Sequence, residues 1–443
     1  MKKRLSYVQV IALGYAIMIA LGTFLLMMPF SSVNGQMTGF ADALFTATSA
    51  SCVTGLVPVD TGTYWSFAGQ LIIILLIQVG GLGFVTVATL FMMLMRKRVG
   101  IREKELMIES INSSNIGSVL RLTKKILIGT LVFEGIGAVL LTVGFNRYFP
   151  LPRAIWFGIF HSISSFCNAG FDLLGVVEPY SSLMHFSSDT LITVTVMLLI
   201  VIGGIGFLVW DDIYKNGIRF KKYSFHTKLV LITTAVLIFG GAVLIFIFER
   251  KCSHAAMSLY EQIISSFFGS ISARTAGMNV ADTTAFSSGG KLINIFLFFI
   301  GGSSGSTAGG IKTTTFSVLV LSALSSMRGR PAPELLGRRI NDDSVKKAVT
   351  VAVTNLSLAL FGAFAIFAFQ PLELGDVLFE TFSALGTVGM SAGITRELLP
   401  VSKYVIIFLM YLGRVGSISF AAALITKKAP KNIVAPGEDI IIG

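Results

Sequence analysis

The chain has 443 residues, of which 53% are hydrophobic and only 13% charged. Its mean hydropathy of +0.79 lies far above that of a soluble domain, and long apolar runs recur along its whole length, so a polytopic membrane protein is indicated. The net charge of +12 does not mark a nucleic-acid binder, because lysine and arginine crowd into alternate inter-span segments. These are the N-terminus, "RKRVGIREK", "KNGIRFKK", "RGRPAPELLGRR" through "KK", and the "KK" of the tail. This positive-inside pattern puts both termini and the basic loops in the cytoplasm.

The first apolar run, Val8 to Met28, is too long for a signal peptide and has no convincing small-residue cleavage site, so it reads as a retained span. A shorter segment follows, from Ala41 to Ser51, and ends at "CVTGL" around Gly55. Eleven helical residues cover about 16 Å, half of the ~30 Å hydrocarbon core. Such a segment can only enter from outside, reach mid-depth and return. A second span then runs near 69–95 and carries "GGLG".

The same order recurs three times. First spans lie near 125–146, 228–248 and 349–369, and second spans near 188–210, 291–324 and 401–425. Between them stand "CNAGF" at Gly170, "RTAGM" at Gly277 and "TVGM" at Gly389. The glycine spacings are 115, 107 and 112 residues, and a phenylalanine precedes each glycine by ten: Phe45, Phe160, Phe267 and Phe379. Asp42, Pro152 and Asp376 sit where the short helices would start. The fold class is therefore an all-α polytopic membrane protein of four span–pore-helix–span repeats, eight spans in all, around a central pore. The repeats divide as 1–100, 101–215, 216–340 and 341–443, the last with the tail.

Non-helical backbone at membrane depth must be buried in protein or line a water-filled cavity. Four returning strands around one axis would form a pore whose carbonyls replace the hydration shell of potassium. Glycine permits the backbone conformations this needs, and the negative C-terminal ends of the half-helices favour a cation. The candidate filter is Val53, Thr54 and Gly55; Asn168, Ala169 and Gly170; Thr275, Ala276 and Gly277; and Thr387, Val388 and Gly389. Asp172, just past Gly170, either draws cations to the outer mouth or caps a loop. Cys52 and Cys167 read as small packing residues, since the three cysteines, with Cys252, offer no paired framework.

The inner landmark of the third repeat is "GGSSGSTAGGIKTT", which interrupts an apolar span. Glycine disfavours helix by about 1 kcal/mol relative to alanine. The stretch Gly302, Ser303, Ser304, Gly305, Ser306, Thr307, Ala308, Gly309 and Gly310 is thus expected to break the span and lie beneath the filter as a movable plug. Its hydroxyls can satisfy the freed backbone. Lys312 adds a charge that latches to a carboxylate or restrains the loop. The other landmarks are the glycine pairs at 80–81 and 203–204, read as close-packing positions, and Gly413–Arg414. An arginine inside an apolar span is costly and commonly functional. Arg414 is either a gate charge or half of a structural ion pair, with Glu134 as partner. Arg274, three residues before Gly277, is expected to pair with a carboxylate or carbonyls behind the filter.

The fourfold plan, the four filter glycines and "GGSSGSTAGGIKTT" resemble the Trk/Ktr/HKT superfamily of potassium transporters over essentially the whole chain. The length and the ending "PGEDIIIG" are similar to the KtrB-type membrane subunits of that family. The resemblance implies a bacterial plasma-membrane homodimer with one pore per subunit, and a cytoplasmic KtrA-type nucleotide-binding ring that gates it. The nucleotide would sit on that partner, and this chain would need no organic cofactor. The resemblance also makes Arg414 an electrostatic barrier below the filter. With glycine rather than serine at position 55, it implies a preference for potassium.

Two other function classes were weighed. "GGSSG" matches the hydrolase G-x-S-x-G and the GxSG of intramembrane serine proteases, but His161, His185, His226 and His254 leave no histidine after residue 254 to serve as base. The stretch also fails the phosphate-loop pattern, since isoleucine stands between Gly310 and Lys312. A sodium- or proton-coupled secondary transporter would show inverted repeats and a coupling carboxylate. Here the repeats are parallel, and Glu134 is the one evident mid-span acid. The loops "YKNGIRFKKYSFHTK" and "SSMRGRPAPELLGRRINDDSVKK" serve anionic-lipid contact or docking of the gating ring, and Asp211–Asp212 belongs to that face or to a solvated helix end.

Overall fold

A computed structural model describes residues 7–83, 86, 119–330 and 332–416. Fourteen helices of ten or more residues appear among them. Each repeat opens with a long apolar helix: α1 (Tyr7–Met27), α4 (Val119–Phe145), α8 (Phe225–Glu249) and α12 (Asp342–Phe367). All four are long and apolar enough to cross a membrane. They keep apolar side chains such as Leu131, Val139, Val236 and Phe361 exposed, which is the expected face toward lipid.

A shorter helix follows in each repeat: α2 (Phe40–Cys52), α5 (Leu151–Cys167), α9 (Leu259–Ser272) and α13 (Leu374–Gly386). Their 13 to 17 residues give about 20–26 Å, too short to cross. They are largely enclosed, with Phe45, Phe160, Phe268 and Phe379 wholly buried. The equivalent of Phe45 in the third repeat is therefore Phe268, and Phe267 is only half buried. The reason is local: α9 stops at Ser272, and a turn rather than helix leads to Gly277, so the offset to the glycine shortens by one. Asp42 and Asp376 lie in first turns as expected, but neither caps its helix. They pair instead with Lys403 (2.7 Å) and Lys291 (2.6 Å) on the second helices of other repeats.

The second helices are α3 (Phe67–Leu82), α6 (Thr190–Gly204), α10 (Ser288–Phe299) and α14 (Pro400–Val415). Ser66, Asp189 and Ser287 cap the first three through bonds to backbone amides. Over the expected span near 188–210 the helix is broken: α6 ends at Gly204, and α7 (Phe207–Asn216) departs at 96°. Gly206, at φ +99°, makes the corner. In the third repeat α10 stops at Phe299 and α11 (Thr313–Met327) resumes the apolar run. A small hairpin, β1 (Glu334–Leu335) and β2 (Arg338–Arg339), precedes α12. Residues 84–95 and 417–425 of two expected spans lie, apart from Thr86, outside the described residues, as do "RKRVGIREK" and the tail.

Candidate functional site

The C-terminal ends of α2, α5, α9 and α13 converge on one ring of backbone. In every repeat the residue two before the glycine is left-handed: Val53 (φ +58°), Asn168 (+59°), Thr275 (+86°) and Thr387 (+50°). The glycines are left-handed too, at +100°, +74°, +77° and +96° for Gly55, Gly170, Gly277 and Gly389. A β-carbon on Gly55 would stand 2.7 Å from the Ala169 carbonyl oxygen, and one on Gly170 would stand 2.8 Å from that of Ala276. On Gly277 it would collide with the Val388 carbonyl, and on Gly389 with the Thr54 carbonyl. The contacts thus run 55 to 170 to 277 to 389 and back to 55. All twelve filter candidates are brought together, and the ring closes in chain order with no room for a side chain at any glycine.

Outside the ring lies a cavity of about 290 Å³ bordered by all four glycines and by Asp60, Asp172, Glu178 and Asp282. Asp172 lines this cavity and accepts the Leu174 amide (3.0 Å), as a loop cap does.

Inside the ring lies the glycine–serine loop. Ile300 and Ile311 bridge its ends, with the Gly301 amide on the Ile311 carbonyl (2.8 Å). The loop amides of Ser303 and Thr307 donate to the carbonyls of Gly204 (2.9 Å) and Gly203 (3.4 Å), and the Thr307 hydroxyl donates to Phe166 O (3.2 Å). Gly309 leaves no room for a β-carbon against the Thr387 side chain, and Gly310 would meet Gly386 at 3.0 Å. The loop therefore runs from the foot of α5 to the foot of α13, across the inner face of the ring. The Arg414 guanidinium donates to the carbonyls of Thr307 and Gly80, and to Gly81 O (3.2 Å).

A family model described as TrkH, a cation transport protein, matches residues 7–433. The chain belongs to this family. Like its TrkH relatives it is a multi-pass membrane protein. It is 40% identical to the potassium/sodium uptake protein NtpJ of Enterococcus hirae, over all of this chain and 98% of that one. It is 37% identical to the Ktr system potassium uptake protein B of Bacillus subtilis, over 98% and 96%. The crystal structure of the potassium transporter TrkH from Vibrio parahaemolyticus superposes with a TM-score of 0.74 at 18% identity, covering 96% of this chain and 86% of that one. The last likeness shows the fold alone.

In this TrkH-family chain the odd charges have specific surroundings. Arg414 binds carbonyls, while Glu134 accepts from Gln78 Nε2 (3.2 Å) instead, so the ion pair between them is not formed. Lys312 latches to no carboxylate; its Nζ donates to Ala308 O (2.8 Å) and Gly309 O (3.3 Å), tying the loop to itself. Arg274 is buried, and its Nε finds no partner among the described residues. Ser303 and Ser304 of "GGSSG" engage Thr313 (2.9 Å) and Thr314 (3.1 Å). Gly80, Gly203 and Gly413 press on the carbonyls of Ser51, Phe166 and Leu385 too closely for any β-carbon, which accounts for them as packing positions.

The sequence reading missed the serines that hold the ring. Ser49 Oγ accepts the Gly55 amide (3.0 Å) and Ser383 Oγ accepts the Gly389 amide (3.0 Å). Ser164, Ser272 and Ser383 donate to the carbonyls of Phe171, Met278 and Met390, each one residue past its glycine. Serine six residues before the glycine was a readable signal in three repeats; in the third the serine, Ser272, stands five before Gly277, which hides it.

Proposed function

We propose that this chain is the ion-translocating membrane subunit of a potassium uptake system. It carries a channel-like pore of eight crossings in four repeats, with the four glycine segments as selectivity filter. The observation that carries the reading is the closed ring of four left-handed glycines, each against the carbonyl of the next repeat. Carbonyls held this way replace water around a dehydrated cation. No catalytic step is needed for this, and the relatives named above are uptake proteins.

The loop from Gly302 to Gly310, with Lys312 and Arg414, is the gate. A loop crossing under the ring obstructs the path, and a guanidinium beside it repels cations. The carbonyls it binds belong to the loop and to the first repeat, so opening must release Arg414 from both. The relatives called Ktr system proteins support a system with further subunits. On that basis the chain forms a homodimer on a cytoplasmic KtrA-type nucleotide-binding ring, with both termini inside a bacterial plasma membrane and the basic loops facing ring and lipid.

Purified protein in liposomes loaded with potassium tests the reading. Potassium should equilibrate with an imposed voltage alone. A requirement for a sodium or proton gradient would replace the channel-like pore by a coupled transporter, the reading that the relative named for both potassium and sodium supports.

A further inference from the structure

Glu380 lies on α13, nine residues before Gly389, and is wholly buried. Its Oε1 accepts from the Ser391 hydroxyl and from Thr395 Oγ1, 2.9 Å away. Its Oε2 has no hydrogen-bond partner among the described residues. A buried carboxyl group is costly to desolvate, so its presence behind the ring requires a reason that an apolar side chain could not supply.

Ser391 stands two residues beyond Gly389 on the strand that leaves the ring. Its Oγ also accepts the Gly393 amide (2.9 Å), and its carbonyl accepts from Thr283 Oγ1 (2.7 Å) in the third repeat. With its donor committed to Glu380 and its acceptor to Gly393, the hydroxyl cannot rotate. The fourth strand is thereby fixed twice, at Gly389 by Ser383 and at Ser391 by Glu380.

The second repeat has a parallel arrangement. His161, nine residues before Gly170, is wholly buried. Its Nε2 accepts the Leu173 amide (3.3 Å), so its Nδ1 carries the proton and donates to Phe157 O (2.7 Å). Repeats two and four face each other across the ring, given its order of contacts. In the first repeat Thr46 turns back to Asp42 O (2.8 Å), and in the third the aligned residue is Gly269, which has no side chain. At this helix position the two opposite repeats carry a polar side chain that reaches the outgoing strand, and the two between them do not, being held by Ser49 and Ser272.

We infer that Glu380 is a positioning residue for ion discrimination. Acting through Ser391, it fixes the outer end of the fourth strand and so the carbonyl spacing that separates potassium from sodium. The inference rests on the pore reading above. Its motivation is the Glu380–Ser391–Gly393 chain of contacts, which leads from a pore helix to the part of the fourth strand that borders the cavity beside the ring.

The test uses full-length protein in liposomes, with potassium and sodium fluxes measured separately under an imposed potential. Glu380→Ala and Ser391→Ala should each lower the potassium-to-sodium flux ratio by about tenfold, the scale of one lost buried hydrogen bond. The double variant should lose no more than Glu380→Ala alone, because Ser391 acts through its contact with Glu380. Glu380→Gln keeps an acceptor for Ser391 and should stay within about twofold of the unmodified protein. Additive losses, an unchanged ratio in Ser391→Ala, or a loss in Glu380→Gln equal to that in Glu380→Ala would each overturn the inference. Should Glu380→Ala fail to fold, the Ser391→Ala and Glu380→Gln ratios decide it. Absence of potassium-selective flux in the unmodified protein would overturn the pore reading instead.

Discussion

Arg414 donates to the carbonyl of Thr307 from one terminal nitrogen and to that of Gly80 from the other. The first carbonyl belongs to the loop under the ring and the second to α3 in another repeat. Thr307 in turn gives its hydroxyl to Phe166 O at the foot of α5. Through these two residues all four repeats are joined at one level, directly below the filter candidates.

Removing the guanidinium should therefore free the loop. Hydrogen bonds from a charged donor contribute about 1.5–3 kcal/mol each, and 1.4 kcal/mol is a tenfold change in a two-state population. Arg414→Ala is expected to raise potassium flux in liposomes about tenfold or more. Loss of monodisperse protein, with no folded fraction, would favour a purely structural role.

Excising the loop provides a second test. Ile300 and Ile311 are already bridged, so deleting residues 302–310 leaves ends that can meet without moving α10 or α11. Flux should rise. A folded deletion variant with lower flux than the intact chain would end the gate reading.

Gly55 sits at φ +100° with the Ala169 carbonyl where a β-carbon would go. Gly55→Ser must distort the ring, at about 1–3 kcal/mol of backbone strain. Potassium preference over sodium should fall, as read from competition for uptake. Unchanged preference would count against Gly55 as part of the filter.

Glu249, at the end of α8, is wholly buried and accepts from the amides and hydroxyls of both Ser253 and Ser287. It clamps the first span of the third repeat to α10. Glu249→Ala leaves those donors unpaired and should cost about 2–4 kcal/mol, visible as a lower Tm in detergent. A Tm equal to that of the unmodified protein would show that the clamp carries no stability.

Helix α7 ties the loop to α4. The Phe207 amide donates to Gly305 O (2.7 Å), and Asp211 pairs with Lys125 (2.5 Å) on α4 and with Lys215 (2.5 Å). Partial burial pushes the Asp211 carboxyl up, but hydrogen bonds from Lys125 and Lys215, and their charges, hold it below its ordinary value. A lowered folded pKa means that the stabilisation is present above the unfolded value and is lost as pH falls through the folded one. Because both lysines are well exposed, the effect should stay under about 1 kcal/mol. The protection factors of α7 amides, relative to intrinsic exchange at the same pH, should fall below about pH 4, and Asp211→Asn should show the same lower protection at neutral pH. Exchange that does not differ between the two proteins would remove the pair as an anchor.

Much of this was legible from the residues alone. Apolar runs too long for a soluble fold, segments too short to cross, and a glycine every 107 to 115 residues fix the plan of half-helices around an axis, because lipid tolerates broken backbone only inside protein. The same rule located the loop at 302–310 and made Arg414 exceptional. What the sequence could not supply was anything that depends on which element lies beside which. Gly206 at φ +99° permits the corner, but the 96° direction that α7 takes shows only in the fold. The sequence leaves Arg414 either a gate charge or half of an ion pair with Glu134, and only the tertiary arrangement sets it among carbonyls. Ser272 and Phe268 escaped because their offset to Gly277 is one residue shorter than in the other repeats, where α9 gives way to a turn after Ser272. Glu380 drew no attention in an amphipathic half-helix. Its meaning appears only when Ser391, eleven residues on, folds back behind the ring and gives the buried carboxyl group its donor.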